Sequence, residues 1–256
     1  MLRIRQNDPD PDFASAPVVG RVESWSSTEA AFHNHRRHQL IYAIKGVINV
    51  STQASRWVLP PTRALWIRAN TDHKLSVARA AEIRVLYIDP AVDCAPASPS
   101  CVVVEVTPLV RELISSCAVL PWNYEPGSKE ARLCEVLLDQ IATLDRSPVD
   151  LTVPTDPRGL RIVEMLKREP ASREPLASLA ARVGASSRTI ERIFVRETHL
   201  AFGAWRQRFR LLTALELLAY GEAVTNVAFD VGYESASSFV AAFRETFGTT
   251  PARFFK

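Results

Sequence analysis

The sequence predicts an α+β chain: an N-terminal β-barrel with flanking helices, followed by an all-α domain of two helix-turn-helix units. Three observations carry this. From Phe32 to Asp89, short apolar runs are punctuated by turn residues, the pattern of a small sandwich or barrel. Beyond residue 100 the apolar spacing changes to a helical period. In the second half, one five-residue pattern occurs twice, 48 residues apart.

Residues 1–31 carry few signals. The start, MLRIRQNDPDPDF, has two Arg but no apolar run behind them, so no signal peptide is expected. No stretch approaches the ~20 apolar residues of a membrane span. With Cys94, Cys101, Cys117 and Cys134 forming no Cys-x-x-Cys pair, zinc-finger and thioredoxin readings have no support. The expectation is a cytoplasmic protein with reduced, buried thiols and no membrane partner. Its 256 residues favour two domains, and 47% hydrophobic content with a net charge of +3 excludes a disordered chain.

The strand-like runs are LIYAI (40–44), VINVST (47–52), RWVLP (56–60), ALWI (64–67) and IRVLYI (83–88), separated by Gly46, Pro60-Pro61 and Asn70 to Asp72. A Pro/Ser/Ala-rich stretch (91–100) follows. Leu109, Val110, Leu113, Ile114 and Cys117 then make one helical stripe. Leu133, Val136, Leu137, Gln140, Ile141 and Leu144 make a second. One stripe covers the barrel. The other is either a homodimer surface, the reading favoured here, or a second cap on the same core. Residues 145–157, with three Pro and no periodicity, read as a linker. The expected domains are therefore 1–144 and 158–256.

From Arg158 the chain is helical in roughly seven segments. Leu176, Leu179, Ala180, Val183 and Gly184 repeat as Val224, Val227, Ala228, Val231 and Gly232. Each set buries one helix face, with a small Ala where a second helix crosses and a Gly where the chain turns, as a helix-turn-helix requires. A Ser-capped helix follows each copy. Ser186 or Ser187 begins the first, whose core face is Ile190, Ile193 and Phe194. Ser235 begins the second, with Phe239, Ala242 and Phe243 inside. Phe202, Trp205, Phe209, Leu212, Leu215 and Leu218 suit one connecting helix, ended by Gly221. Residues 158–256 hold 15 basic and 10 acidic residues, 13 of the former Arg, against 16 and 18 in residues 1–157. Arg enrichment on one domain fits a phosphate-binding face.

These residues resemble the DNA-binding domain of the AraC/XylS family of transcriptional regulators: LASLAARVGASSRTIERIF (176–194), WRQRFRLLTALELLA (205–219) and VTNVAFDVGYESASSFVAAFRETFGTTPARF (224–254). His199 departs from the pattern, standing where the family commonly has Gly. The resemblance implies two recognition helices in successive major-groove faces of double-stranded promoter or operator DNA. On the first, Ser187, Arg188, Glu191 and Arg192 lie opposite the core face. Arg pairs bidentately with guanine or binds phosphate. Glu191 either accepts from cytosine or orients a neighbouring Arg. On the second, Ser237, Ser238 and Arg244 face outward; short side chains there position the domain more than they read sequence. Arg206, Arg208 and Arg253 are further phosphate candidates. RNA polymerase is a further partner such a regulator implies.

Within Phe32–Asp89, His33-x-His35-x-x-x-Gln39 followed by Gly46 resembles the first cupin motif, with Gln39 in place of Glu. Arg68-Ala-Asn70-Thr-Asp-His73 resembles the second, with Arg68 and Asn70 replacing Pro and Gly. On a strand, 33, 35 and 39 share a face and His38 takes the outer one. His33, His35, Gln39 and His73 are thus the candidate effector site. It takes either a divalent transition metal, to which imidazole-rich sets suit Zn, Ni, Cu or Fe, or a small organic anion. In the second case Trp57, Trp66, Tyr42 and Phe32 would line the pocket and Arg68 hold the charge. The alternative function is a cupin enzyme fused to a DNA-binding module. Its usual two-His-one-carboxylate set would need Glu82, because Gln39 is neutral.

Overall fold

The computed structural model describes residues 10–92, 101–144 and 150–255. Cys94 and the first part of the expected linker lie outside them. The chain divides into two compact units, residues 1–52 with 59–148, and residues 53–58 with 149–256.

In the first unit, one antiparallel sheet has the order β1 (Val18–Trp25), β8 (Ala81–Ile88), β3 (His38–Lys45), β6 (Arg63–Ile67), β9 (Cys101–Glu105). In a second sheet, β4 (Ile48–Ser51), β7 (Lys74–Val77) and β2 (Thr28–Glu29) lie side by side in that order. The apolar runs at 40–44, 64–67 and 83–88 are β3, β6 and β8, buried on both faces from Leu40 to Ala43 and from Val85 to Ile88. β1, β7 and β9 had no counterpart in the sequence reading. β1 was obscured by Gly20, whose missing side chain is a packing requirement: a Cβ there would lie 2.4 Å from the Ala118 Cα.

Helix α1 (Pro108–Cys117) packs on β1 and β8, and α2 (Lys129–Ala142) packs on α1. The expected second stripe is rotated. The buried residues of α2 are Ala131, Cys134, Leu137, Leu138 and Ile141, while Val136 is 46% exposed and Leu133 and Leu144 are half-buried. Small residues set this rotation. Ala131 is buried, and Cys134 sits where the helices approach, its Sγ 3.8 Å from Cys117 Sγ. Leu137 and Ile141 are therefore core and not an outer surface. Leu109, expected inside, is exposed.

In the second unit, β5 (Ser55–Leu59) pairs antiparallel with β10 (Asp150–Thr152), so part of the expected linker is a strand. Val153 N donates to Ala54 O, Leu151 is buried, and Trp205 Nε1 donates to Thr152 O at 2.8 Å. Seven helices follow: α3 (Pro157–Arg168), α4 (Leu176–Arg182), α5 (Ser187–Thr198), α6 (Phe202–Ala219), α7 (Val224–Asp230), α8 (Ala236–Phe247) and α9 (Pro251–Phe254). The repeat is carried into three dimensions. α4 and α7 have 7 residues each, α5 and α8 have 12, and Ser186 and Ser235 are the N-caps. Leu179, Ala180, Val227 and Ala228 are buried, as are all the expected core residues of α5, α6 and α8. Gly184 and Gly232 turn the two units at φ 68° and 86°. Among the described residues, no helix is long and apolar enough to cross a membrane.

Candidate functional site

Three of the four candidate effector residues, His33, His35 and His73, converge in the first unit. His33 and His73 exchange backbone hydrogen bonds of 2.9 Å in an isolated bridge, which sets the two rings 4.5 Å apart. His35 lies in the irregular segment before β3, not on a strand as expected. Its carbonyl accepts from Asn70 N at 2.7 Å. Asn70 takes φ 60°, a conformation that Gly adopts freely and Asn tolerates better than most residues. The Gly-to-Asn departure from the cupin pattern therefore keeps the turn. The segment is pinned further by Asn34 Nδ2 donating to Asp72 Oδ1, Arg36 N donating to the Asp12 carboxylate, and buried Arg37 donating to the carbonyls of Ala14, Ala16 and Pro17.

One ligating atom from each of His33, His35 and His73 lies within 4.8 Å of the others. Nδ1 of His33 and of His73 each face a backbone carbonyl, Ala31 O at 3.0 Å and Thr71 O at 2.9 Å. A carbonyl only accepts, so Nδ1 carries the hydrogen and Nε2 presents its lone pair. His73 Nε2 is buried without a partner, and so is Gln39 Oε1. Gln39 lies opposite Tyr87 on the neighbouring strand, and the Tyr87 ring stands edge-on to His35 at 5.1 Å. Burial, aided by the adjacent imidazoles, holds His73 down to about 4, and burial lowers His35 as well. Both are neutral at pH 7, the form that ligates metals.

Several expectations for the surroundings change. His38 is not on an outer face. It is buried, its Nδ1 accepts from Ala69 N at 3.0 Å, and its ring lies 5.2 Å from that of Trp66. Tyr42 shares that parity on β3, opposite to Gln39, and donates to Pro61 O. Tyr42 and Trp66 are therefore core, not walls of the histidine site. Phe32 and Arg68 are exposed. Glu82 is exposed on β8 opposite Ser24 and is absent from the histidine cluster, which contains no carboxylate among the described residues. Nothing in the spacing of the sequence marks the pinning residues Asp12, Asn34 and Arg37, or Tyr87 beside the histidines.

In the second unit, Arg188 and Arg192 are exposed on α5, and neither bonds to another described residue's side chain. Ser187 opens the same helix, half-buried. Glu191 has a different task from either one expected: its Oε1 accepts from Phe202 N at 3.2 Å. Ala201, the N-cap of α6, offers no side-chain acceptor, so Glu191 supplies the missing cap from a neighbouring helix. On α8, Ser237 and Arg244 are exposed. Ser238 is exposed too, but its Oγ donates to Ser235 O at 2.9 Å. His199 ends α5 at φ 60°, the left-handed position that Gly248 fills at the end of α8. Of the phosphate candidates, Arg206 donates to Glu174 O at 2.7 Å, and Arg253 is exposed.

Comparison with known proteins bears on both units. A sequence model of the AraC-like ligand binding domain matches residues 19–142, and one of a helix-turn-helix domain matches residues 179–256. Among solved structures, ToxT from Vibrio cholerae aligns over 94% of this chain and 98% of its own, with 10% identity and a TM-score of 0.40. The regulatory protein SoxS of Escherichia coli is 36% identical over 75 residues, 29% of this chain and 70% of its own length. The transcriptional regulator NimR of Escherichia coli is 33% identical over 256 residues, 99% of this chain and 93% of its own length. Matched end to end by a helix-turn-helix regulator, with sensor and DNA-binding parts each matched separately, this chain belongs to the AraC family of transcriptional regulators.

Proposed function

We propose that this DNA-binding regulator receives its signal as a divalent transition-metal ion held by His33, His35, His73 and Gln39. One observation carries the reading: three imidazoles converge, and His73 Nε2 is buried with no partner, as is Oε1 of Gln39, the cross-strand neighbour of the Tyr87 that stands against His35. A buried polar atom without a partner costs about 1–3 kcal/mol, which a ligand relieves. A bound ion would supply a Lewis-acid centre, and His33, His35, His73 and Gln39 would hold it. The chain's own part is to fix the Nδ1 hydrogens of His33 and His73 on carbonyls, so that each Nε2 faces the ion. Three nitrogen donors and one weak oxygen donor suit Zn, Ni, Cu or Fe. An organic anion is less well served, because Tyr42 and Trp66 face away from the site and Arg68 is exposed. The absence of a carboxylate from the cluster speaks against oxygenase chemistry, and we read the chain as a non-enzymatic regulator acting in the cytoplasm.

At DNA, Ser187, Arg188 and Arg192 would meet the bases, and Ser237, Ser238 and Arg244 the backbone. The domains follow as a sensor in residues 1–144 and a DNA-binding domain in residues 158–256, the latter extended by β10. A homodimer through the outer face of α2, where Val136 is exposed, completes the reading.

The test is metal titration of chelator-treated, full-length protein, followed by elemental analysis and binding to duplexes selected from a random pool. We expect one bound ion per chain, with altered duplex affinity on loading. The double variant His33→Ala, His35→Ala should lose both effects and keep its fold by circular dichroism. Wild-type protein that retains no ion, or a folded double variant that retains it, overturns the proposal.

A further inference from the structure

The second unit contains a cleft of about 310 Å³ between the connecting helix α6 and the start of α8. Its walls include Arg173 from the α3–α4 loop, Arg206 and Arg210 from α6, Tyr233 and Glu234 from the turn into α8, and Ser238 from the first turn of α8. Three guanidinium groups thus meet one carboxylate. Glu234 pairs with Arg173 at 3.2 Å, and its side chain is 84% exposed. Arg206 donates to Glu174 O and Arg210 to Ser172 O, each at 2.7 Å. These neutral carbonyls hold the two side chains in place and leave their charges unbalanced. Burial lowers both arginines, and Arg210 is lowered further by Arg206 and Arg173. Two donors at the cleft, Arg210 Nε and the Tyr233 hydroxyl, are buried without partners. Gly232 keeps the neighbouring wall bare: a Cβ there would lie 2.8 Å from Arg210 Nη2 and from Ala171 O. Helix α8 starts at Ala236, so its positive end borders the same space.

We propose that this cleft binds a phosphate oxyanion, and that its source is a backbone phosphate of the DNA lying between the two recognition helices. The source, though not the site, rests on the DNA-binding reading above. The cleft takes its residues from just before the first helix-turn-helix, from the connecting helix and from the start of the second recognition helix. DNA that offers successive major grooves to α5 and α8 must carry its sugar-phosphate strand past the segment between them. Arginine forks match phosphate oxygens, and the unpartnered donors would complete the set. A free phosphate compound has the same chemistry, so the test separates the two sources.

The full-length protein is titrated with a 40-base-pair mixed-sequence duplex over a salt series, because phosphate contacts do not depend on sequence. The double variant Arg173→Gln, Arg206→Gln should bind about fivefold more weakly and reduce the slope of log affinity against log salt by roughly 1. Glu234→Gln should bind about twofold more tightly, a gain that a merely structural role would not produce. Arg161→Gln with Arg168→Gln removes the same charge from exposed positions on α3 and should leave the slope unchanged. In parallel, inorganic phosphate is titrated into DNA-free protein while its melting temperature is followed. A cleft slope loss with an unchanged α3 control supports the proposal. An unchanged slope, with a phosphate-dependent rise in melting temperature that the double variant loses, overturns DNA as the source and leaves the site. If neither quantity moves, or if the α3 control falls equally, the cleft assignment is overturned. Wild-type protein that binds no duplex contradicts the DNA-binding reading instead, and the phosphate titration still decides the cleft. Melting of each variant without phosphate checks its fold.

Discussion

At the scale of single residues, two side chains of α5 separate stability from recognition. Glu191 caps α6, whereas Arg188 points to solvent. Glu191→Ala should therefore cost about 1 kcal/mol of stability, the usual worth of a lost cap. Arg188→Ala should leave stability within about 0.5 kcal/mol and remove roughly 1–3 kcal/mol of cognate-duplex affinity. Chemical denaturation and fluorescence anisotropy distinguish the two, and equal losses of affinity would return Glu191 to the recognition face. His199 carries strain of a different kind. An L-residue in the left-handed region costs about 1–2 kcal/mol, part of which Gly returns as extra freedom of the unfolded chain. His199→Gly should accordingly raise stability by about 0.5–1 kcal/mol, read as a higher melting temperature. The sequence exposed this substitution as a departure from the family pattern, which commonly has Gly there. It did not expose the cap, since an acceptor eleven positions from its donor leaves no local spacing to read.

At the scale of elements, α2 divides its apolar residues between two duties. Leu137 is fully buried against its own chain, so Leu137→Ala should cost about 2–5 kcal/mol. Val136→Glu should leave the fold intact and yield monomers in sedimentation; a persistent dimer would dissociate that face from assembly. The start of α3 behaves as an acid-sensitive joint. Asp156 caps it and is held down to about 2, chiefly by its bonds with Arg158. Glu197 is held down to about 2, first by Arg196 and then by the amides of Thr155 and Asp156, to which it is bonded. Carboxylates lowered on folding stabilise the native state above their unfolded values near 4, and that contribution is lost as pH falls toward 2. Melting temperature should therefore drop across about pH 4.5 to 2, and Glu197→Gln should flatten that drop. An identical acid profile for the variant would count against the joint. The helix-turn-helix pairs were legible because Ala180 and Ala228, with their following glycines, mark helix crossings in any sequence. The rotation of α2 was not, since Cys134 and Ala131 carry too little apolar weight to outvote Leu133 and Val136.

At the scale of the whole molecule, the order of domains and the three histidines that fold together were readable from motif spacing. The arginine cleft was not: its walls come from residues 173 to 238, brought together only by folding. The division between units was also misread. Pro148, Pro154 and Pro157 suggested an open tether, yet the short DLT between them is a paired strand. Six residues from within the sensor sequence, 53–58, fold with the second unit. A fragment beginning at 158 would leave Trp205 Nε1 without the Thr152 carbonyl and lose Leu151 from the core, and we expect it to be about 1–3 kcal/mol less stable than one beginning at 149. Equal denaturation midpoints for the two fragments would contradict this. The pairing of β5 with β10 also bears on inheritance. Recombination that exchanges sensors between relatives at the proline-rich junction would transmit one half of a strand pair without the other. Lineages that shuffle these genes should therefore keep residues 53–58 matched to 150–152, so that two distant stretches of the gene descend as one unit.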